Sequence, residues 1–75
     1  MVNQRENIMI EMTDITVSRA FCGRRVITVG KDDRTFFARE SGRGWDVYAE
    51  GQLIKHVTKV RLIDRIVYGY IKAYE

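Results

Sequence analysis

Four short breaks divide the middle of the chain: Cys22-Gly23, the polar run Lys31-Asp32-Asp33-Arg34, Ser41 to Gly44, and Gly51-Gln52. None can hold a crossover helix, which needs roughly a dozen residues to carry the chain to a parallel neighbour. Each segment must therefore turn back beside the one before it. The segments have the composition of strands. Ile15 to Phe21 alternates Ile15, Val17, Arg19 and Phe21 against Thr16, Ser18 and Ala20, the period of a half-buried strand. Arg24 to Gly30 is rich in β-branched residues, Thr35 to Glu40 centres on Phe36 and Phe37, and Trp45 to Glu50 and Leu53 to Val57 complete the series. The expectation is an antiparallel meander of four to five strands.

Two segments lie outside this pattern. In residues 8–13 the apolar positions Ile8, Ile10 and Met12 have the opposite phase to Ile15, Val17 and Phe21. One continuous strand would need a bulge near Thr13-Asp14. From Thr58 to Glu75, Val, Ile and Tyr favour a strand by propensity, but the spacing is helical. Val60, Ile63, Val67, Tyr70, Ile71 and Tyr74 share one face, and Arg61, Asp64, Arg65, Tyr68, Lys72 and Glu75 share the other. The spacing predicts a helix of about four turns, with Thr58 as N-cap. Its apolar arc is wider than docking on one sheet requires, which points to a second contact surface.

The fold class expected is thus α+β: an antiparallel meander with one C-terminal α-helix packed on one face. The predicted core is Val17, Phe21, Ile27, Val29, Phe36, Trp45, Val47, Ile54, Val60, Ile63, Val67 and Tyr70. Phe36 is placed inward because Ala38 shares its parity, while Arg39 shares that of Phe37.

Seventy-five residues form a single domain, 1–75, with residues 1–7 expected to be flexible. A chain of this size often needs extra stabilisation from disulfides, metal or self-association. Cys22 is the only cysteine and His56 the only histidine, so no internal disulfide and no His/Cys zinc site can form. That leaves packing or a homodimer. No run reaches the ~18 apolar residues of a membrane span, and Met1 to Asn7 lacks the apolar stretch of a signal peptide. The protein is read as cytoplasmic.

Catalytic constellations are absent from the sequence. Ser41-Gly-Arg-Gly-Trp45 lacks the Gly-Lys-Ser/Thr ending of a phosphate loop, and Trp45 opens a strand where such a loop would lead into a helix. His56 could lie near Asp46 or Glu50, but no nucleophile accompanies it. Cys22 beside Arg24 and Arg25 is read as an unreactive turn residue, and Lys31 to Arg34 as a solvated turn. The chain is expected not to be an enzyme and to carry no cofactor.

Net charge is +3, unevenly spread. Residues 19–43 hold seven bases (Arg19, Arg24, Arg25, Lys31, Arg34, Arg39, Arg43) and three acids. With Phe37, Trp45 and Tyr48 nearby, Arg24, Arg25, Arg34, Arg39 and Arg43 could give one sheet face the character of a nucleic-acid surface. In the order of its elements the chain resembles the plant AP2 domain and the N-terminal domains of some phage-type integrases, three-stranded sheets followed by a helix that bind DNA. This likeness rests on no shared motif and implies a DNA- or RNA-binding module. The competing expectation, placed first, is a small regulatory or inhibitory module that binds a protein partner stoichiometrically. In size and arginine content the chain is similar to phage and mobile-element inhibitors, anti-CRISPR proteins among them. Its basic charge speaks against mimicry of DNA. Arg24, Arg25, Arg34, Arg39, Arg43, Tyr48, Tyr68 and Tyr74 are the candidate contact residues, tyrosine and arginine being enriched at interfaces.

Overall fold

The computed structural model describes residues 10–74. The chain runs as β1 (Ile15–Val17), β2 (Arg24–Val29), β3 (Phe36–Ser41), β4 (Gly44–Ala49), β5 (Gln52–Val57) and α1 (Ile63–Ala73). The five strands form one sheet in the order β1-β2-β3-β4-β5, every pair antiparallel. The expected α+β meander with a C-terminal helix is what forms. The expected flexibility of residues 1–7 lies outside the described residues.

The turns set the registers. Cys22 and Gly23 both have positive φ, 52° and 76°, and link a Phe21–Arg24 bridge. Glu50 and Gly51 repeat the pattern at 52° and 85° between the paired Ala49 and Gln52. Two left-handed central residues match the right-handed twist of the strands they join. At the third hairpin only Gly42 is left-handed, φ 59°, and Arg43 sits at its tip between the paired Ser41 and Gly44.

The core lies between one sheet face and α1. Ile15, Ile27, Val29, Phe36, Ala38, Trp45, Val47, Ala49 and Val57 line the sheet side, Ile63, Val67 and Ile71 come from the helix, and Ile10 joins them. The three helix residues recur every fourth position, and burying each contributes about 1.5–3 kcal/mol. Phe36 points inward as expected, with Tyr70 edge-on to its ring at 6.0 Å. Val17, Ile54 and Tyr70 are half-buried against this core.

Several expectations need correction. The helix does not begin at Thr58. A 3-10 turn at Val60–Leu62 precedes it, no side chain caps either segment, and Leu62 occupies the N-cap of α1. Val60 therefore leaves the helical face assigned to it and is 39% exposed. Ile8 lies outside the described residues; between Ile10 and β1 the chain makes a 3-10 turn, Met12–Asp14, closed by reciprocal bonds between Glu11 and Asp14, where the sequence asked for a bulge in a continuous strand.

Phe21 is the clearest departure. Ile15, Thr16 and Val17 pair with Val29, Thr28 and Ile27, and the Ser18 N–H donates to the Val26 carbonyl. Phe21 then pairs with Arg24, so Arg19 and Ala20 together stand opposite the single residue Arg25. The extra residue is a bulge, and it inverts the facing of everything beyond it. Phe21 consequently leaves the core side and is 80% exposed. Ser18 braces the bulge: its Oγ accepts from the Val26 N–H at 2.8 Å, and its carbonyl accepts from Arg25 Nη1 at 2.9 Å.

Candidate functional site

The face of the sheet turned away from α1 carries two rows of side chains fixed by the strand registers. The first is Val26, Phe37, Tyr48 and Leu53, each directly opposite the next on β2, β3, β4 and β5. Val26 is 62% and Leu53 55% exposed. Phe37 and Tyr48 between them stack at 4.7 Å with planes 3° apart. The second row, toward the Cys22-Gly23 and Gly42-Arg43 turns, is Phe21, Arg24, Arg39, Asp46 and His56.

The charges in the second row are unevenly matched. His56 Nδ1 lies 2.6 Å from Asp46 Oδ1, a hydrogen bond of the ring with the carboxylate. Asp46 is thereby turned to β5, and among the described residues neither Arg24 nor Arg39 has an ion-pair partner. These two arginines face each other across β2 and β3. Like charges held directly opposite on neighbouring strands cost stability. The Arg24 guanidinium offsets part of that by lying over the Phe37 ring, 5.1 Å from its centroid, a cation–π contact of about 0.5–1 kcal/mol at an exposed site.

The arginines expected on one face are divided. Arg24 and Arg39 share the open face and Arg43 stands exposed at the hairpin tip beside them. Arg25 is on the helix side, in register with buried Ala38, its guanidinium 4.7 Å from the Trp45 ring centre. Arg34 is held at the far end of the sheet by a bidentate pair with Asp32 and lies 5.9 Å from the Tyr70 ring centre. Hydrogen bonding to Asp32 raises the Arg34 pKa above its ordinary value. The Lys31 to Arg34 turn is thus an anchored corner, with the Asp32 side chain only 10% exposed. A single basic sheet face holding Arg24, Arg25, Arg34, Arg39 and Arg43 does not form.

The tyrosines divide likewise. Tyr48 belongs to the open face. Tyr68 is half-buried on α1, with Lys72 Nζ 5.4 Å from its ring centre. Tyr74 is exposed at the helix end and packs on Tyr70 at 4.7 Å. The broad apolar arc of the helix is taken up mostly by the core and by this tyrosine pair.

Sequence reasoning missed Val26, Leu53 and Phe21 as members of an exposed face. The signal for the first two was available. A two-residue turn at Gly42-Arg43 fixes Phe37 opposite Tyr48, and that row then extends to Val26 and Leu53.

Asp46 is the only acid found beside His56 among the described residues, and Cys22 is exposed in its turn. Among the described residues no three His, Cys, Asp or Glu side chains gather as metal ligands, and no helix is long and apolar enough to cross a membrane. Compared with known protein families, curated proteins and solved structures, the chain matches none of them.

Proposed function

We propose that this chain is a non-enzymatic module that acts by stoichiometric binding to a protein partner, as a regulator or inhibitor would, and that the open sheet face is its binding surface. The observation that carries this is the row Val26, Phe37, Tyr48 and Leu53, apolar across four strands and facing solvent at both ends. Contiguous apolar surface on a small soluble domain marks an interaction site. Around it, arginine and tyrosine supply the polar contacts of an interface rim.

A nucleic-acid partner is served less well by this arrangement. Single strands bind by stacking bases on free aromatic faces. Phe37 already stacks on Tyr48 and carries the Arg24 guanidinium over its ring, so it is not a free platform.

The test combines affinity isolation from a nuclease-treated extract of the cells that produce the protein with fluorescence anisotropy on labelled DNA and RNA. Wild type should retain a protein that Val26→Lys/Leu53→Lys releases, and nucleic acids should bind only weakly. Strong, salt-steep nucleic-acid binding lost in Arg24→Ala/Arg39→Ala would replace this reading with the nucleic-acid one.

A further inference from the structure

The Arg24–Arg39 opposition and the direction of the apolar row together say more about the occupant. The row crosses the strands at right angles, and four positions at about 4.8 Å spacing span roughly 14 Å. Strand pairing is not available there, because the backbone groups of β2, β3 and β4 are committed to their neighbours. An extended segment laid on the row would press unpaired backbone N–H and C=O groups against Val26 and Phe37, at a cost. A helix satisfies its own backbone. At about 1.5 Å per residue, roughly ten residues cover the row, with one apolar side chain per turn.

Charge selects among helices. Arg24 and Arg39 repel each other, and the one acid of their row is bound to His56. A carboxylate brought in between the two guanidiniums would meet two donors and remove the repulsion. A second copy of this chain is poorly suited to bring it. Its own α1 sets a single half-buried acid, Asp64, beside exposed Arg65, with Arg61 exposed in the turn before it, and among the described residues the acid of its open face, Asp46, is already bonded to His56.

Resting on the protein-binding reading above, we propose that the open face receives an amphipathic, acidic α-helix of a different protein. Its apolar stripe lies along Val26, Phe37, Tyr48 and Leu53, and one of its Asp or Glu side chains is clamped between Arg24 and Arg39. Arg39 is then a residue kept for binding at the expense of the free fold.

The probe is a displayed library of random peptides of about 16 residues, long enough for a helix that spans the row. It is selected on the wild-type protein after depletion on Val26→Lys/Leu53→Lys. Enriched peptides should carry apolar residues at helical spacing and net negative charge. Arg39→Gln should weaken their binding about tenfold or more while leaving the thermal midpoint equal or higher. Replacing the acids of an enriched peptide with lysine should abolish binding to wild type and restore it in Arg24→Glu/Arg39→Glu.

Basic or non-helical peptides that still depend on Val26 and Leu53 would overturn the acidic helix and leave the binding face standing. Absence of any face-dependent peptide would count against both. A dimer in sedimentation that Val26→Lys/Leu53→Lys dissociates would replace the foreign helix with a second copy. Arg39→Gln lowering both binding and stability would overturn the stated role of Arg39.

Discussion

Phe37 and Tyr48 stand face to face on β3 and β4, ring centres 4.7 Å apart and planes within 3° of parallel. Tyr48 is thus both a member of the open face and a support for its neighbour. A double-mutant cycle of Phe37→Ala and Tyr48→Ala should give a coupling of about 0.5–1.5 kcal/mol in chemical denaturation. A coupling indistinguishable from zero would mean that the rings merely lie near each other.

The two hairpins with left-handed Cys22 and Glu50 should respond to the same substitution. Each already has glycine second, and each spends a side chain on a conformation that costs a typical L-residue roughly 1–2 kcal/mol. Asparagine tolerates it better, and Asn-Gly is the preferred pair in such turns. Cys22→Asn and Glu50→Asn should each raise stability by about 0.5–1 kcal/mol, visible as a thermal midpoint higher by several degrees. A fall in midpoint for both would refute the assigned turn geometry.

Gly44 should resist even alanine. A Cβ there would press against the Val57 carbonyl oxygen and sit 2.9 Å from Thr58 Cα, both backbone atoms that cannot swing aside. The β4–β5 pairing would have to open beside Trp45. Gly44→Ala should cost about 1–3 kcal/mol and weaken amide-exchange protection in β5 first. Unchanged protection at Val57 would argue against this close approach.

Gly69 is the contrasting case. It lies inside α1, exposed, and a Cβ there would meet no atom within 4 Å. Gly69→Ala should therefore stabilise by roughly 0.5–1 kcal/mol through helix propensity alone. Loss of stability would indicate a contact that the bare glycine surface serves.

The sheet order and helix were legible because local signals agreed: short breaks, alternating strands and four-residue spacing in α1. The inward facing of Phe36 followed from parity with Ala38. What escaped was anything decided by count instead of pattern. Phe21 alternates perfectly with Ile15 and Val17 in sequence, yet one unpaired residue at Arg19-Ala20 turns it outward. Thr58 is a good capping residue by type, but the 3-10 turn at Val60–Leu62 delays the helix past its reach. The arginines look like one basic block along the chain, and strand parity sends Arg24 and Arg25 to opposite faces.

The bulge also changes how such a surface can evolve. Shortening Ser18 to Gly23 by a single residue would rotate Phe21 inward without altering any side chain of the core or of the apolar row. Length variation in that one hairpin is thus a route to a new contact outline, open to insertions and deletions that would be ruinous in β3 or β4.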